Sequence, residues 1–325
     1  MRGCAAFAVL FFHFFYKGPT QKWIVFDSST PLHGVAQYGY LGVHLFFMIS
    51  GFVISMSAQK ATARGFALSR AARLFPALWI CAVLTTVVLM YAPTSFFKAS
   101  WLQLIINLTL VPHWFGVAPI DGSYWSLVVE VHFYIAVFVL VLFRKFQFFE
   151  RVLYVWIFLS AINFLRPMHP LQLWLNVNWA PLLASGALFF YVREYGWTLP
   201  RKLGLACCLG LAILYEIFHR DASTIQNRIV TTTLITVFFV LFTAIVSRNS
   251  NLKPSKTSDF LGKITYPLYL LHQNIGYALY ASLAAFIWAE HEMLRMLIIT
   301  AVILLVAYFI NQFFEKPLAR LIRRV

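Results

Sequence analysis

The sequence has few charged residues and no cysteine arrangement typical of a metal site. Charged residues make up 11% of the 325 positions, whereas 61% are hydrophobic. A soluble domain needs charged residues over its whole exterior, so this composition argues against a soluble fold and favours a chain embedded in a lipid bilayer. The cysteines lie in apolar stretches with no CxxC pair, so we expect packed side chains and no metal. They are Cys4, Cys81, Cys207 and Cys208.

Acidic residues are scarce relative to basic ones, and the formal net charge is +15. A basic protein can bind nucleic acid by neutralising phosphates. Here the basic residues fall in short runs between apolar stretches, which is how membrane proteins place their loops. We therefore interpret the charge as a topology signal and expect no nucleic-acid partner.

Hydrophobic runs predict an all-α, polytopic membrane protein with about ten transmembrane helices. A further stretch, 100–112, is short for a span and predicts an interfacial or re-entrant helix. Repeats and long linkers are lacking, so we expect a single integral membrane domain over 1–325. The ten predicted spans are 3–16, 38–57, 75–91, 124–143, 152–166, 178–192, 203–218, 229–247, 264–288 and 293–314.

The distribution of Lys and Arg predicts the orientation of these helices. If the N-terminus is placed inside, 19 basic residues fall on the side of the termini and 7 on the opposite side. Basic residues are retained in the cytoplasm, so we expect both termini to be cytoplasmic. The first run carries bulky aromatics and no small-residue cleavage site, which favours a retained helix over a signal peptide.

Polar residues inside the apolar spans are the candidates for chemistry, because each buried charge costs ~2.5 to 3.5 kcal/mol. Arg2 and His13 are eleven residues apart. That spacing is about 20° from three whole helical turns, so both lie on one face with His13 ~16 Å further along the axis. An interfacial arginine and a core histidine bonded to backbone is the alternative interpretation.

A pair of arginines and one glutamate stand out for the same reason. Arg70 and Arg73 share a face at the cytoplasmic end of the third span, and two guanidiniums there could hold a phosphate or simply anchor the helix. Glu130 lies inside an apolar helix, where it could serve as an acid or base or as a structural partner of a buried Arg or His. His44 and His272 are each interpreted as satisfied core histidines.

Six segments of the chain resemble, in order, the successive motifs of acyltransferase family 3. Each motif alone is mostly Leu, Phe and Gly, but six in order from Arg2 to Pro317 form a specific pattern. One departure is His44, where the family often has an acidic residue or Ser. The segments are RGCAAFAVLFFH, GVHLFFMISGFVI, SRAARLFPALW, DGSYWSLVVEVHFY, LGKITYPLYLLH and FFEKP.

The resemblance implies an O-acyltransferase of the bacterial cytoplasmic (inner) membrane. It would move an acyl group, usually acetyl, from cytosolic acyl-CoA to a hydroxyl of an extracytoplasmic sugar or surface polysaccharide, without a metal. Carried over, the family's first-helix Arg and His fall on Arg2 and His13, its paired arginines on Arg70 and Arg73, and its carboxylate on Glu130. The arginines would bind the CoA phosphates. His13 would activate the hydroxyl or carry the acyl group, with Glu130 orienting or protonating the imidazole.

Two other functions are compatible with the residues. Intramembrane His and Glu also form proton relays, which leaves a proton-coupled transporter or flippase of sugars or lipids as the main alternative. Repeated halves and broken helices mark many transporters, and the sequence indicates neither. The second alternative is a non-catalytic membrane subunit of a polysaccharide assembly machine.

Overall fold

The computed structural model describes residues 1–93, 96–219, 224–247, 255–283 and 291–324, and all regular secondary structure in these ranges is helical. The chain divides into two compact units. The end of the predicted ninth span, 284–288, lies outside the described residues. So do three basic residues of the orientation count, Arg220, Arg248 and Lys253.

Unit 1 comprises Met1–Gly42, Leu68–Val128 and Pro254–Val325. Its helices are α1 (Arg2–Phe12), α2 (Gly18–Thr20), α3 (Pro31–Ala36), most of α5 (Ala63–Tyr91), α6 (Trp101–Asn107), α13 (Lys256–Leu271), α14 (Asn274–Leu283), α15 (Glu292–Ile310) and α16 (Lys316–Arg324). Within this unit, helix α1 packs against α13, and α15 packs against both α13 and α14.

Unit 2 comprises Val43–Ala67 and Val129–Lys253. The helices of this unit are most of α4 (Gly42–Ala58), most of α7 (Trp125–Leu142), α8 (Phe149–Leu165), α9 (His169–Leu175), α10 (Ala180–Tyr195), α11 (Leu199–His219) and α12 (Ile225–Ser247). Helix α10 is buried along nearly its whole length and packs against α8, α11 and α12.

Six helical segments in the described part of the chain are long and apolar enough to cross a membrane. A seventh arises if α9 and α10, bent by 44° at their junction, form one span. The predictions of ten spans and of cytoplasmic termini stay predictions. The six segments are Pro31–Ala58, Ala63–Tyr91, Gly122–Leu142, Phe146–Leu165, Ile225–Ser247 and Glu292–Arg324.

The expectation of unbroken helices was wrong. The predicted span 264–288 is interrupted at His272 and Gln273, which form a turn between α13 and α14. Two other helices pass into π-helical stretches, at His13–Lys17 and Asn311–Glu315. Such stretches often occur at functional sites, and each of these three irregularities contains a polar residue of the recognised motifs: His272, His13 or Glu315.

Candidate active site

His13 lies at the point where the first helix changes its winding. Helix α1 is regular from Arg2 to Phe12, and the π-helical stretch begins at His13 itself. The hydroxyl of Tyr277 donates to the His13 carbonyl oxygen at 3.1 Å. A Cβ placed on Gly276 would lie 2.5 Å from Cε1 of Phe14, so the absence of a side chain there lets α14 approach the widened turn closely.

The imidazole of His13 is buried and contacts a second buried imidazole. Nδ1 of His13 lies 3.1 Å from Nε2 of His272 and 2.9 Å from the carbonyl oxygen of Val9. The two rings meet edge to face with centroids 4.8 Å apart. Two residues that the sequence places at opposite ends of the chain therefore form one polar centre inside unit 1.

The hydrogen-bond partners fix the tautomers of both neutral rings. Nδ1 of His272 lies 2.8 Å from the carbonyl oxygen of Tyr269, which can only accept, so this nitrogen carries the proton. Nε2 of His272 is then an acceptor. Nδ1 of His13 must be protonated to donate to Val9 and His272, which leaves the lone pair of His13 on Nε2. This nitrogen is available as a base.

Asp121 fixes the helix break that carries His272. Its carboxylate is fully buried, and Oδ2 accepts from the backbone N–H of Asn274 at 2.8 Å. Oδ1 accepts from the backbone and the hydroxyl of Ser123. The Asn274 side chain donates in return to the carbonyl oxygen of Ile120 at 2.9 Å. Asp121 thus caps the first turn of α14. It joins the motif DGSYWSLVVEVHFY, which begins at Asp121, to the motif LGKITYPLYLLH, which ends at His272.

The paired arginines lie on α5 in different surroundings. Nη1 of Arg73 donates to Oε1 of Glu315 at 3.0 Å, and its guanidinium lies 5.1 Å from the centre of the Tyr266 ring. Glu315 is buried and also accepts from Asn311 at 2.8 Å. Arg70 donates to the neighbouring Ser69 hydroxyl at 3.0 Å. Arg73 is therefore a paired cation rather than a simple surface anchor, although its side chain keeps 30% exposure.

Glu130 belongs to unit 2, as do both of its recorded partners. Its Oε1 accepts hydrogen bonds from the hydroxyls of Ser50 at 2.7 Å and Tyr134 at 2.9 Å. Both hydroxyls bond to the same carboxylate oxygen, so a structural role and a chemical one are both compatible with this geometry. Its predicted catalytic role stays a prediction.

Sequence reasoning missed the roles of three residues. His272 was interpreted as a satisfied core histidine, although the polar triplet His272, Gln273 and Asn274 in an apolar span could have indicated the break. Asp121 was quoted only as the first residue of a motif, with no role. Glu315 was noted as part of a motif without its partner Arg73. In each case the missing information was a contact between residues far apart in the chain.

The fold and the site together define an all-helical protein with several membrane-length helices and a buried histidine pair. A search with family models finds acyltransferase family 3, whose model is described as an acyltransferase domain, over residues 1–312. The chain belongs to this family, as its motifs indicated. No curated protein and no solved structure was found to match it.

Proposed function

We propose that this membrane acyltransferase moves an acyl group, usually acetyl, from cytosolic acyl-CoA to a hydroxyl of a sugar or surface polysaccharide across a bacterial inner membrane. The observation that carries the proposal is the His13 and His272 pair, because it leaves Nε2 of His13 unprotonated and oriented by two hydrogen bonds. Within an acyltransferase family, such a nitrogen is suited to activating a hydroxyl.

The proposed step is a direct transfer with general base catalysis. Nε2 of His13 takes the proton of the acceptor hydroxyl while its oxygen attacks the thioester carbonyl carbon. The carbon–sulfur bond breaks, an ester carbon–oxygen bond forms, and the proton passes from His13 to the departing CoA thiolate. His272 accepts from Nδ1 of His13 throughout, and this bond strengthens when His13 becomes an imidazolium.

Arg2, Arg70 and Arg73 are proposed to hold the phosphates of the donor. Guanidiniums bind phosphate through parallel N–H donors. The pairing with Glu315 orients the Arg73 side chain through one nitrogen and also offsets part of its positive charge. The other N–H groups of that guanidinium provide the donors for a phosphate.

Isolated membranes incubated with radiolabelled acetyl-CoA test the proposed function directly. Label is expected to appear on surface glycan in membranes that contain the protein and to be absent from membranes of cells lacking the gene. Failure to label any glycan, with any acceptor added, would reject the enzyme and favour the transporter. A broken helix is compatible with that alternative too.

The histidine pair makes a separate prediction. His272→Leu is expected to lower kcat by about tenfold or more, since the imidazolium of His13 loses one of its two acceptors, while KM for acyl-CoA changes little. The pH dependence of kcat should also shift, because the pKa of His13 depends on its partner. A purely structural role would instead reduce the folded yield without moving the pH profile. Steady-state rates over a range of pH separate the two.

A further inference from the structure

Unit 2 contains a second buried pair of polar residues, remote from His13 in sequence. Nε2 of His44 lies 2.7 Å from Oε1 of Glu216, and both residues are almost fully buried. Burial of such a pair carries a desolvation cost that its attraction often only offsets. The pair is therefore weak evidence for a role in stability. The residues around it indicate a functional role instead.

The pair lines a cavity of about 90 Å³. A single water needs only ~10–15 Å³ of such volume, so the space can hold several waters or a small polar group of a ligand. Three further residues give the lining its polar and aromatic character: Asn178, Trp179 and Tyr215.

Hydrogen bonds hold these lining groups in place. Oδ1 of Asn178 accepts from the side chain of Asn163 at 2.8 Å, which leaves the NH₂ group of Asn178 as a donor for a ligand. The Tyr215 hydroxyl donates to the Ser160 carbonyl oxygen at 2.8 Å. The half-buried Trp179 ring lies with its centroid 5.8 Å from that of His44. The lining is thus prearranged before any ligand binds.

The chemistry of the lining selects among ligand classes. An anion finds no Lys or Arg side chain among the described lining residues and faces the Glu216 carboxylate. An apolar group would leave the polar groups of the lining without a hydrogen-bond partner from the ligand. A neutral hydroxyl-bearing group fits, because a hydroxyl can donate to the carboxylate, which has about four acceptor positions, and accept from the Asn178 amide. An aromatic ring such as Trp179 can pack against the apolar C–H face of a sugar.

We propose that this cavity binds a neutral, hydroxyl-bearing sugar group of the acceptor. This inference rests on the proposed function, in which the acceptor is a sugar. It also agrees with the predicted orientation, since His44 lies in the first half of the predicted span 38–57, which follows an outer connection. Glu216 lies near the C-terminal end of α11, whereas the basic Arg201 and Lys202 lie at its N-terminal end. His44 and Glu216 would both lie in the outer half of the membrane, where the acceptor arrives.

The test uses the full-length protein in lipid nanodiscs, labelled acetyl-CoA, and surface polysaccharide extracted from cells that lack the gene. Glu216→Gln is expected to raise KM for this polysaccharide about tenfold, since a hydrogen bond to a charged acceptor is weakened, and to leave KM for acetyl-CoA within twofold. Trp179→Ala, which keeps the contact between His44 and Glu216, should raise the polysaccharide KM in the same direction.

Glu150→Gln is the matched control. It breaks an ion pair in the same unit, since Glu150 accepts from Nε and Nη2 of Arg201 at 2.7 and 3.0 Å, but Glu150 does not line this cavity. Its polysaccharide KM should stay within twofold of wild type. The proposal would be overturned if a folded Glu216→Gln protein had the wild-type KM for the polysaccharide. It would also be overturned if Glu216→Gln and Glu150→Gln raised this KM equally. If Glu216→Gln does not fold, Trp179→Ala decides by the same criterion.

Failure of the proposed function has a different signature. If the wild-type protein transfers no label, binding is measured directly. The same polysaccharide, carrying a fluorescent tag, is titrated into nanodiscs that contain the protein. Binding by wild type and by Glu150→Gln, weakened about tenfold in Glu216→Gln, would support the cavity as a sugar site without the enzyme. Equal binding by all three proteins, or binding by none, would reject it.

Discussion

Replacing His13 by alanine is expected to lower acyl transfer to surface glycan by about 10²- to 10⁴-fold, the usual contribution of a general base. The side chain is buried and its Nδ1 donates to both Val9 and His272, so the substitution removes the Nε2 lone pair to which the role of base is assigned. Incorporation of label from acetyl-CoA measures the loss, and immunoblotting of membranes measures the amount of inserted protein.

Insertion and folding should survive this substitution well enough to interpret the rates. The change leaves His272 with its bond to the Tyr269 carbonyl oxygen, and the helix-break contacts of Asp121 are untouched. His113→Ala is the control, because that histidine is exposed in the same unit and should keep wild-type activity. A normally inserted His13→Ala protein that retains more than about a tenth of the activity would remove His13 from the mechanism.

The sequence was sufficient to predict the class of fold and the family. Hydrophobic runs and scarce charges predict membrane helices because backbone groups in lipid must bond within their own segment, and the six candidate spans coincide with predicted runs. The motifs identified the family over almost the whole chain. His13 was singled out for a local reason, the cost of a polar side chain within an apolar helix.

The partners of these residues could not be predicted in the same way. The contacts of His13 with His272 and of Arg73 with Glu315 join residues more than 240 positions apart, and periodicity carries no information on such pairs. The break after Leu271 was missed because its cause is the cap that Asp121 gives to Asn274. A tertiary hydrogen bond of this kind overrides the continuous apolar pattern of the span.

Gly186→Ala is expected to destabilise the protein by more than about 3 kcal/mol, at the upper end of the cost of overpacking. Helices α4 and α10 of unit 2 cross with their backbones in contact. A Cβ on Gly186 would lie 1.9 Å from the Met48 carbonyl oxygen. A Cβ on Gly51 would lie 2.0 Å from the Leu183 carbonyl oxygen. Small residues permit such crossings in membrane helices. Since both obstacles are backbone atoms, the helices themselves would have to separate.

Thermal unfolding in detergent and the yield of monodisperse protein measure this loss, and Gly51→Ala should behave alike. Gly210 on α11 supplies the control, because a Cβ there meets no atom within 4 Å. Gly210→Ala should be neutral or up to ~1 kcal/mol more stable, since alanine has the higher helix propensity. A Gly186→Ala protein with wild-type unfolding temperature would mean that the two helices do not cross at these glycines. Because Ser50, which donates to Glu130, is the residue before Gly51, separation of the helices should also disturb that carboxylate.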